Sequence, residues 1–366
     1  MESVVCVLHV AGDAAADTFN GTVQALAQIG LRQVLLPLRN GTLARSAQNL
    51  EVREPQWPGS LLARIRALEE EIAALSSERS FYAIHLHGAR ACLLGSRALR
   101  GSTLRNHLAP STRLLFSPQL GTPGSWKSLL IGGLLKAELA PLHAGVLLAS
   151  PGDAHALSRL LHRSPEVLPP AVDAVFLQAE RRNGVQPMVL AGGSGMEAVH
   201  GVSRLAVLLN SRQERVPIAW LGPVMGAGRA QLEAAGVTVF DAEDLAGTAR
   251  LLSGASVYLH LAQASGQLRA LAQAMGAGVP CLATDTLAHR ALIRHGETGF
   301  ICAGELDFVE KLILLLRDAA ERERVGQAAR AEAARIFTQR NFETAVLRAY
   351  GFQRVTLLPR KSVNVA

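Results

Sequence analysis

The sequence predicts an α/β protein of two domains, each built on a doubly wound parallel sheet. Three observations carry this. The chain has 366 residues, more than one ordinary core encloses and enough for two. Nearly half of them (49%) are hydrophobic but only 4% are aromatic, so the core is made of Leu, Val and Ala, as where helices cover parallel strands. Short apolar runs also alternate with helix-period runs along the whole chain.

In order, a strand is expected at 4–10, an amphipathic helix at 20–29, a strand at 34–37, a helix at 61–75 and a strand at 82–86. Strands at 114–116 and 145–148 complete the first series. Residues 163–173, RSPEVLPPAVD, form the expected junction. Pro165, Pro169 and Pro170 stop any helix there and stiffen the link. The series restarts with strands at 188–190, 218–221, 237–240, 257–259 and 281–283, with helices between nearly all of them. A long helical run rich in Ala, Arg and Glu is expected at 307–334. The domains are therefore placed at 1–165 and 166–337, with a weakly ordered tail at 353–366.

Composition narrows the function. Charged residues are 18% of the chain, too few for disorder. The longest apolar stretches, such as 142–151, are too short to span a membrane. The chain opens directly into a strand without a basic segment or cleavage site, so no secretory signal is expected. Cys6, Cys92, Cys281 and Cys302 form no paired motif and read as reduced, buried thiols of a cytoplasmic protein. The net charge is +7, and residues 1–165 hold most of the excess, with 16 Lys/Arg against 11 Asp/Glu. Arg90, Arg97, Arg100, Arg105 and Arg113 contribute much of it. Such a face suits anionic lipid or a phosphate-bearing acceptor, or simply reflects general use of Arg in this chain. Nucleic acid is set aside because no aromatics interleave the basic residues.

The second half holds the most informative motifs. Residues 167–173 read VLPPAVD, 255–280 read ASVYLHLAQASGQLRALAQAMGAGVP, and 295–300 read HGETGF. Between the first two, a strand at 188–190 meets a Gly-rich turn and a helix. In 255–280 a strand breaks at Ser265 and Gly266, and a helix is expected from there through Met275, with Ser265 as its N-cap. The free amides of Gly266, Gln267 and Leu268 then form a seat for phosphate, at the sheet edge where open α/β folds bind ligands.

This order of segments resembles the GT-B family of retaining nucleotide-sugar glycosyltransferases, family 4. Residues 85–95 (HLHGARACLLG), 116–121 (FSPQLG) and 147–157 (LLASPGDAHAL) extend the resemblance, more faintly, over the first half. It implies two Rossmann-like domains facing a cleft, with the donor held by the second domain and a helix at about 338–352 returning to the first. It also implies retaining, metal-independent transfer from a nucleotide-sugar substrate, with no further cofactor. The acceptor would be lipid-linked or a cell-envelope polysaccharide, reached in the cytoplasm, peripherally at the inner membrane face.

The sequence departs from the family at the positions that carry chemistry. Two family glutamates, which grip the donor sugar and the ribose, are Ser265 and Gln273 here. Gln273 still offers a ribose an uncharged hydrogen bond, whereas Ser265 supplies no carboxylate. The Arg and Lys that neutralise the diphosphate fall at Ser194 and His200. The cleft histidine is Gln119, a glutamate is Ala291, and the glycine pair of the first loop lies within the run Ala14, Ala15, Ala16, Asp17. Losing fixed cations beside a leaving diphosphate removes a large catalytic term. Gln119 and His200 are the catalytic candidates that remain, with His87 and Arg90 as acceptor contacts; Lys127 is a further cation available to the cleft.

Other motifs are set aside. Residues 193–198, GSGMEA, follow a strand as a dinucleotide turn does, but no acidic residue ends a strand about twenty residues on. His85 and His87 share one strand face, yet no third metal ligand is spaced for them in sequence. Residues 241–244, DAED, read as a loop before a helix. The sequence therefore points to a glycosyltransferase, with an inactive GT-B partner or scaffold protein as the alternative and an epimerase or phosphorylase behind both.

Overall fold

A computed structural model describes residues 5–12, 16–39, 49–105, 107–118, 144–149, 164–181, 188–193, 195–212, 216–241, 244–261 and 268–352, with isolated positions between 133 and 158. By proximity the chain divides into two compact units. One comprises Met1–Gln119, Ile131–Leu147 and Glu343–Ala366, and the other Leu120–Leu130 and Leu148–Phe342.

The first sheet contains β1 (Cys6–Ala11), β2 (Arg32–Pro37), β3 (Leu50–Val52), β4 (Phe81–His87), β5 (Arg113–Ser117), β6 (Gly145–Leu148) and β7 (Glu166–Val167). Their order is β3-β2-β1-β4-β5-β6-β7. Helices Ala16–Gln28, Leu61–Glu78 and Ala89–Ala98 cover it. Phe19, Val23, Leu68, Ile72, Ala91 and Cys92 on these helices are buried, as are strand residues such as Leu8, Ile84 and Leu86, and Phe19 and Val23 pack with Ala11 and Leu35. Leu61–Glu78 starts where the Ser60 hydroxyl accepts the Ala63 amide, satisfying a donor that the helix itself cannot. The helix Gln339–Ala349 runs into this unit, where the Tyr82 hydroxyl donates to the Tyr350 carbonyl and the Gln28 amide to Glu343.

The second sheet contains β8 (Val189–Gly192), β9 (Ile218–Leu221), β10 (Thr238–Phe240), β11 (Val257–His260), β12 (Cys281–Thr284) and β13 (Phe300–Cys302), in the order β10-β9-β8-β11-β12-β13. Successive side chains point to opposite faces, and both faces are buried. Leu190, Tyr258 and Ala283 pack with the helix Leu268–Gly276. Val189, Ala191, Leu259 and Leu282 pack with the helices Gly195–Ser211 and Glu305–Arg317.

Both sheets are the doubly wound parallel type that the sequence predicts. In each, the chain builds outward one way and then returns to build the other way. The reversal lies between β1 and β4 in the first sheet and between β8 and β11 in the second. Such switch points open a crevice at the carboxyl ends of the strands.

Two sequence expectations need correction. The run at 307–334 is two helices, Glu305–Arg317 and Ala319–Ile336. Asp318 adopts an extended conformation between them and its carboxylate accepts the Glu321 amide, so it caps the second helix. The short strands β3, β7 and β13 were not foreseen. All three lie at sheet edges or near a junction, where two or three residues carry no readable alternation. The expected tail at 353–366 and the first loop's Ala14 and Ala15 lie outside the described residues. Among the described residues no helix is long and apolar enough to cross a membrane.

Candidate active site

The switch point of the second sheet is built from glycine and histidine. Gly192 ends β8 and His260 ends β11, and the two are register partners. A Cβ on Gly193 would come within 2.7 Å of both the Leu261 carbonyl oxygen and the Ala198 Cβ. Only glycine lets the turn after β8 approach the end of β11 this closely. Gly195, at φ 76°, then starts the helix Gly195–Ser211. A Cβ on Gly201 would meet Leu261 Cδ2 at 2.7 Å, so this helix too lies close over the end of β11.

The sequence candidates fall around this edge unevenly. Leu268 is the first residue of Leu268–Gly276 and is buried. Gln273, half-buried, lies further along the same helix. His200 is on Gly195–Ser211 with its side chain exposed. Ser194, Ser265, Gly266, Gln267, Gln119 and Lys127 lie outside the described residues. Asp241 is used structurally, pairing with Arg229 at 2.8 Å.

Sequence reasoning missed His260 and His289. His260 is wholly buried, and among the described residues neither ring nitrogen has a hydrogen-bond partner. His289, on the helix Leu287–Leu292, meets it edge to face with ring centroids 5.1 Å apart. His289 Nδ1 donates to the Thr284 carbonyl at 2.6 Å. Burial lowers the His260 pKa to about 3, with a smaller contribution from His289, and burial also lowers that of His289. Both rings are therefore neutral near pH 7.

In the first unit, Ala11 and His87 end their strands in register at the β1/β4 switch point, and the Gly12 amide donates to the His87 carbonyl at 2.9 Å. A Cβ on Gly12 would lie 3.1 Å from the Ala91 amide nitrogen and 3.3 Å from Arg90 Cβ, so the loop after β1 crosses the start of the helix Ala89–Ala98. Arg90 is half-buried there. His87 is only 2% exposed.

The tertiary structure supplies the third histidine that the sequence reading found missing. His9, in register with His85, places His9, His85 and His87 with ligand-type nitrogens within 4.8 Å of one another. Hydrogen bonds already occupy every one of these nitrogens except His87 Nδ1, however. His85 Nδ1 meets the Tyr350 hydroxyl at 2.6 Å, and its Nε2 meets Ser117 Oγ at 2.8 Å. The His85 and His87 rings lie 3.7 Å apart, tighter than two imidazoles spread around one tetrahedral metal with bonds of about 2.0 Å. This arrangement is a hydrogen-bonded core rather than an open ligand set.

The protons in that core can be assigned. The Val23 carbonyl only accepts, so the Gln33 NH2 faces it at 3.0 Å and Gln33 Oε1 faces His9. His9 Nε2 therefore carries the hydrogen. His9 is neutral, its pKa lowered by burial to about 4, so His9 Nδ1 is an acceptor and His87 Nε2 donates to it at 3.0 Å. His87 is held well below the usual imidazole range by burial and then by its neighbours. Its Nδ1 is left as a lone pair. Gln33 thus sets the tautomer of His87 through His9.

A cavity of about 430 Å³ lies elsewhere in the second unit, lined by Gln178, Glu180, Arg181, Ala249 and Arg250 among others. Its Arg181 binds the carbonyls of Ser253 and Ala255, just ahead of β11. That is the amino edge of the sheet, away from the switch point, and the cavity is not the candidate site.

The comparisons with known proteins agree with this geometry. Residues 236–332, which include β11, β12 and the helix Leu268–Gly276, match the family model of glycosyl transferases group 1. No curated protein sequence matches the chain. Among solved structures, a glycosyltransferase from Rickettsia africae superposes with a TM-score of 0.74 at 12% identity, covering 98% of this chain and 99% of that one. HepE of Anabaena in complex with UDP and glucose gives 0.73 at 14% identity, covering 95% and 99%. Sucrose-phosphate synthase of Thermosynechococcus elongatus gives 0.72 at 14% identity, covering 94% and 98%. At these identities the likeness is one of fold. The chain has the two Rossmann-like units of the GT-B fold.

Proposed function

We propose that the chain is a retaining, metal-independent glycosyltransferase that uses a nucleoside-diphosphate sugar as donor. The family match over 236–332 is the main support, because it falls on the strand, turn and helix of the second switch point. In this reading the diphosphate sits near Ser194 and the amides of Gly266, Gln267 and Leu268, with Ser265 beside it and the ribose at Gln273. Gln119 and His200 serve the reacting bond. His87 and Arg90 receive the acceptor, a lipid-linked or cell-envelope glycan. The protein works in the cytoplasm, where the basic excess of residues 1–165 draws it to an anionic membrane surface. Nucleic acid plays no part.

Calorimetric titration with UDP, GDP and ADP tests the donor site. One of the three is expected to bind, and Gln273→Ala should weaken it by about 1 kcal/mol, roughly fivefold. Unchanged affinity in that variant would move the ribose elsewhere.

The neutral residues Ser194, Ser265 and Gln273 favour a second reading, an inactive partner or scaffold. Turnover separates the two. If the protein is a transferase lacking a strong cation at its leaving group, His200→Lys should raise the rate of donor consumption, because a permanent charge stabilises the departing diphosphate. No turnover of any donor by either form, with a protein partner bound by both, would establish the scaffold role.

A further inference from the structure

His260 is placed where a ligand of the second unit would enter, and the folded chain leaves it unsatisfied. It is the last residue of β11, beside Gly192 at the strand-order reversal. Its ring is wholly buried, and among the described residues both nitrogens lack a partner. Buried polar groups are normally satisfied, and an apolar residue of similar size would fill the space without loss. Trp220 Nε1 on β9 is also buried without a partner, but it lies within its strand, whereas the imidazole of His260 stands at the carboxyl end of β11 on the strand-order reversal, where a partner from outside the fold is expected.

The chemistry of that partner can be read from the two rings. A neutral imidazole offers one donor and one acceptor. His289 spends its Nδ1 hydrogen on the Thr284 carbonyl and so presents an Nε2 lone pair. Together the rings offer one donor and two acceptors, with no fixed positive charge. This set complements hydroxyl groups, each of which both gives and takes a hydrogen bond. It does not complement phosphate, which calls for several donors or a cation. The low pKa of both rings keeps them in this neutral form at physiological pH.

We propose that His260, with His289 beside it, binds a sugar hydroxyl of the nucleotide-sugar donor. The inference rests on the donor-site reading above. The hydroxyl belongs either to the ribose or to the transferred sugar, which present the same chemistry.

The test titrates the full-length native protein, His260→Leu and His260→Gln with UDP, GDP, ADP, UDP-glucose, GDP-mannose and ADP-glucose, and records their melting temperatures. For the nucleotide that binds, His260→Leu should lose about tenfold in affinity while melting no lower than the native protein, because it removes an unsatisfied group. His260→Gln, which keeps a donor and an acceptor, should recover part of the loss. A loss confined to the sugar-bearing ligands assigns the transferred sugar, and a loss shared by the free diphosphate assigns the ribose. If His260→Leu binds every ligand as the native protein does and melts higher, the imidazole is only an unsatisfied core residue and the proposal is overturned. If the native protein binds none of the six ligands, the donor-site reading itself fails and takes this inference with it.

Discussion

Acidification from about pH 7.5 to about pH 5 is expected to strip several kcal/mol from the stability of this chain, well before its surface carboxylates protonate. The cause is the set of buried, neutral histidines. His9 titrates near 4 in the folded state and His260 near 3, and His85 and His87 are also held far down by burial. In the unfolded chain each would titrate near 6.5. Below that value the unfolded state takes up protons that the folded state refuses, so stability falls as pH drops from about 6.5 towards the folded pKa values. At 1.36 kcal/mol per pH unit, His9 alone contributes roughly 3 kcal/mol across its window. The carboxylates of Glu51, Asp285 and Glu332 are held low by hydrogen bonds from arginines and add their own loss only at more acidic pH. Urea unfolding at the two pH values, followed by circular dichroism, measures the effect. His9→Gln should flatten the dependence in the first unit, because glutamine hydrogen-bonds without titrating. Equal midpoints at both pH values for the native protein would mean that these rings are not held neutral in its core.

Replacing Gly326 with alanine should destabilise the second unit by roughly 1–3 kcal/mol, although alanine is the better helix former by about 1 kcal/mol. Gly326 lies inside the helix Ala319–Ile336, where an added Cβ would collide with the Gly278 carbonyl oxygen. That oxygen belongs to the turn after Leu268–Gly276, held at φ 74°, and a backbone atom cannot swing aside as a flexible side chain does. Pro280 and Arg330 pack about the same contact. Steric exclusion therefore outweighs propensity. Gly254 is the control: it ends the helix Leu245–Gly254 with nothing near its would-be Cβ. Alanine there should leave the melting temperature unchanged or raise it. A melting temperature for Gly326→Ala at or above the native value would refute the collision.

Much of this protein could be read locally. The alternation of apolar runs with helical periods, the prolines at 165, 169 and 170, and the low aromatic content follow from backbone geometry and burial, and these act over a few residues. They determined the α/β class, the doubly wound sheets and most of the strands. They also led to the turn-and-helix edges at Gly193 and Leu268, where the structure places the second switch point. Where two local signals competed, the weaker was lost. The apolar period runs through Asp318, and only the cap it forms with the Glu321 amide shows the break.

What only the tertiary structure decided is which residues meet. His9 and His87 are 78 positions apart, and hydrogen bonding joins them because β1 and β4 are neighbours in the sheet. Gln33 enters from β2 on the other side, and Tyr350 comes from the end of the chain. The orphaned ring of His260 is likewise invisible in sequence, where it is one more residue of an apolar strand. Its lack of a partner is a property of everything packed around it. Strand order, and with it the neighbours of each buried polar group, is set by long-range packing of whole elements. A one-dimensional pattern carries the faces of those elements but not their order.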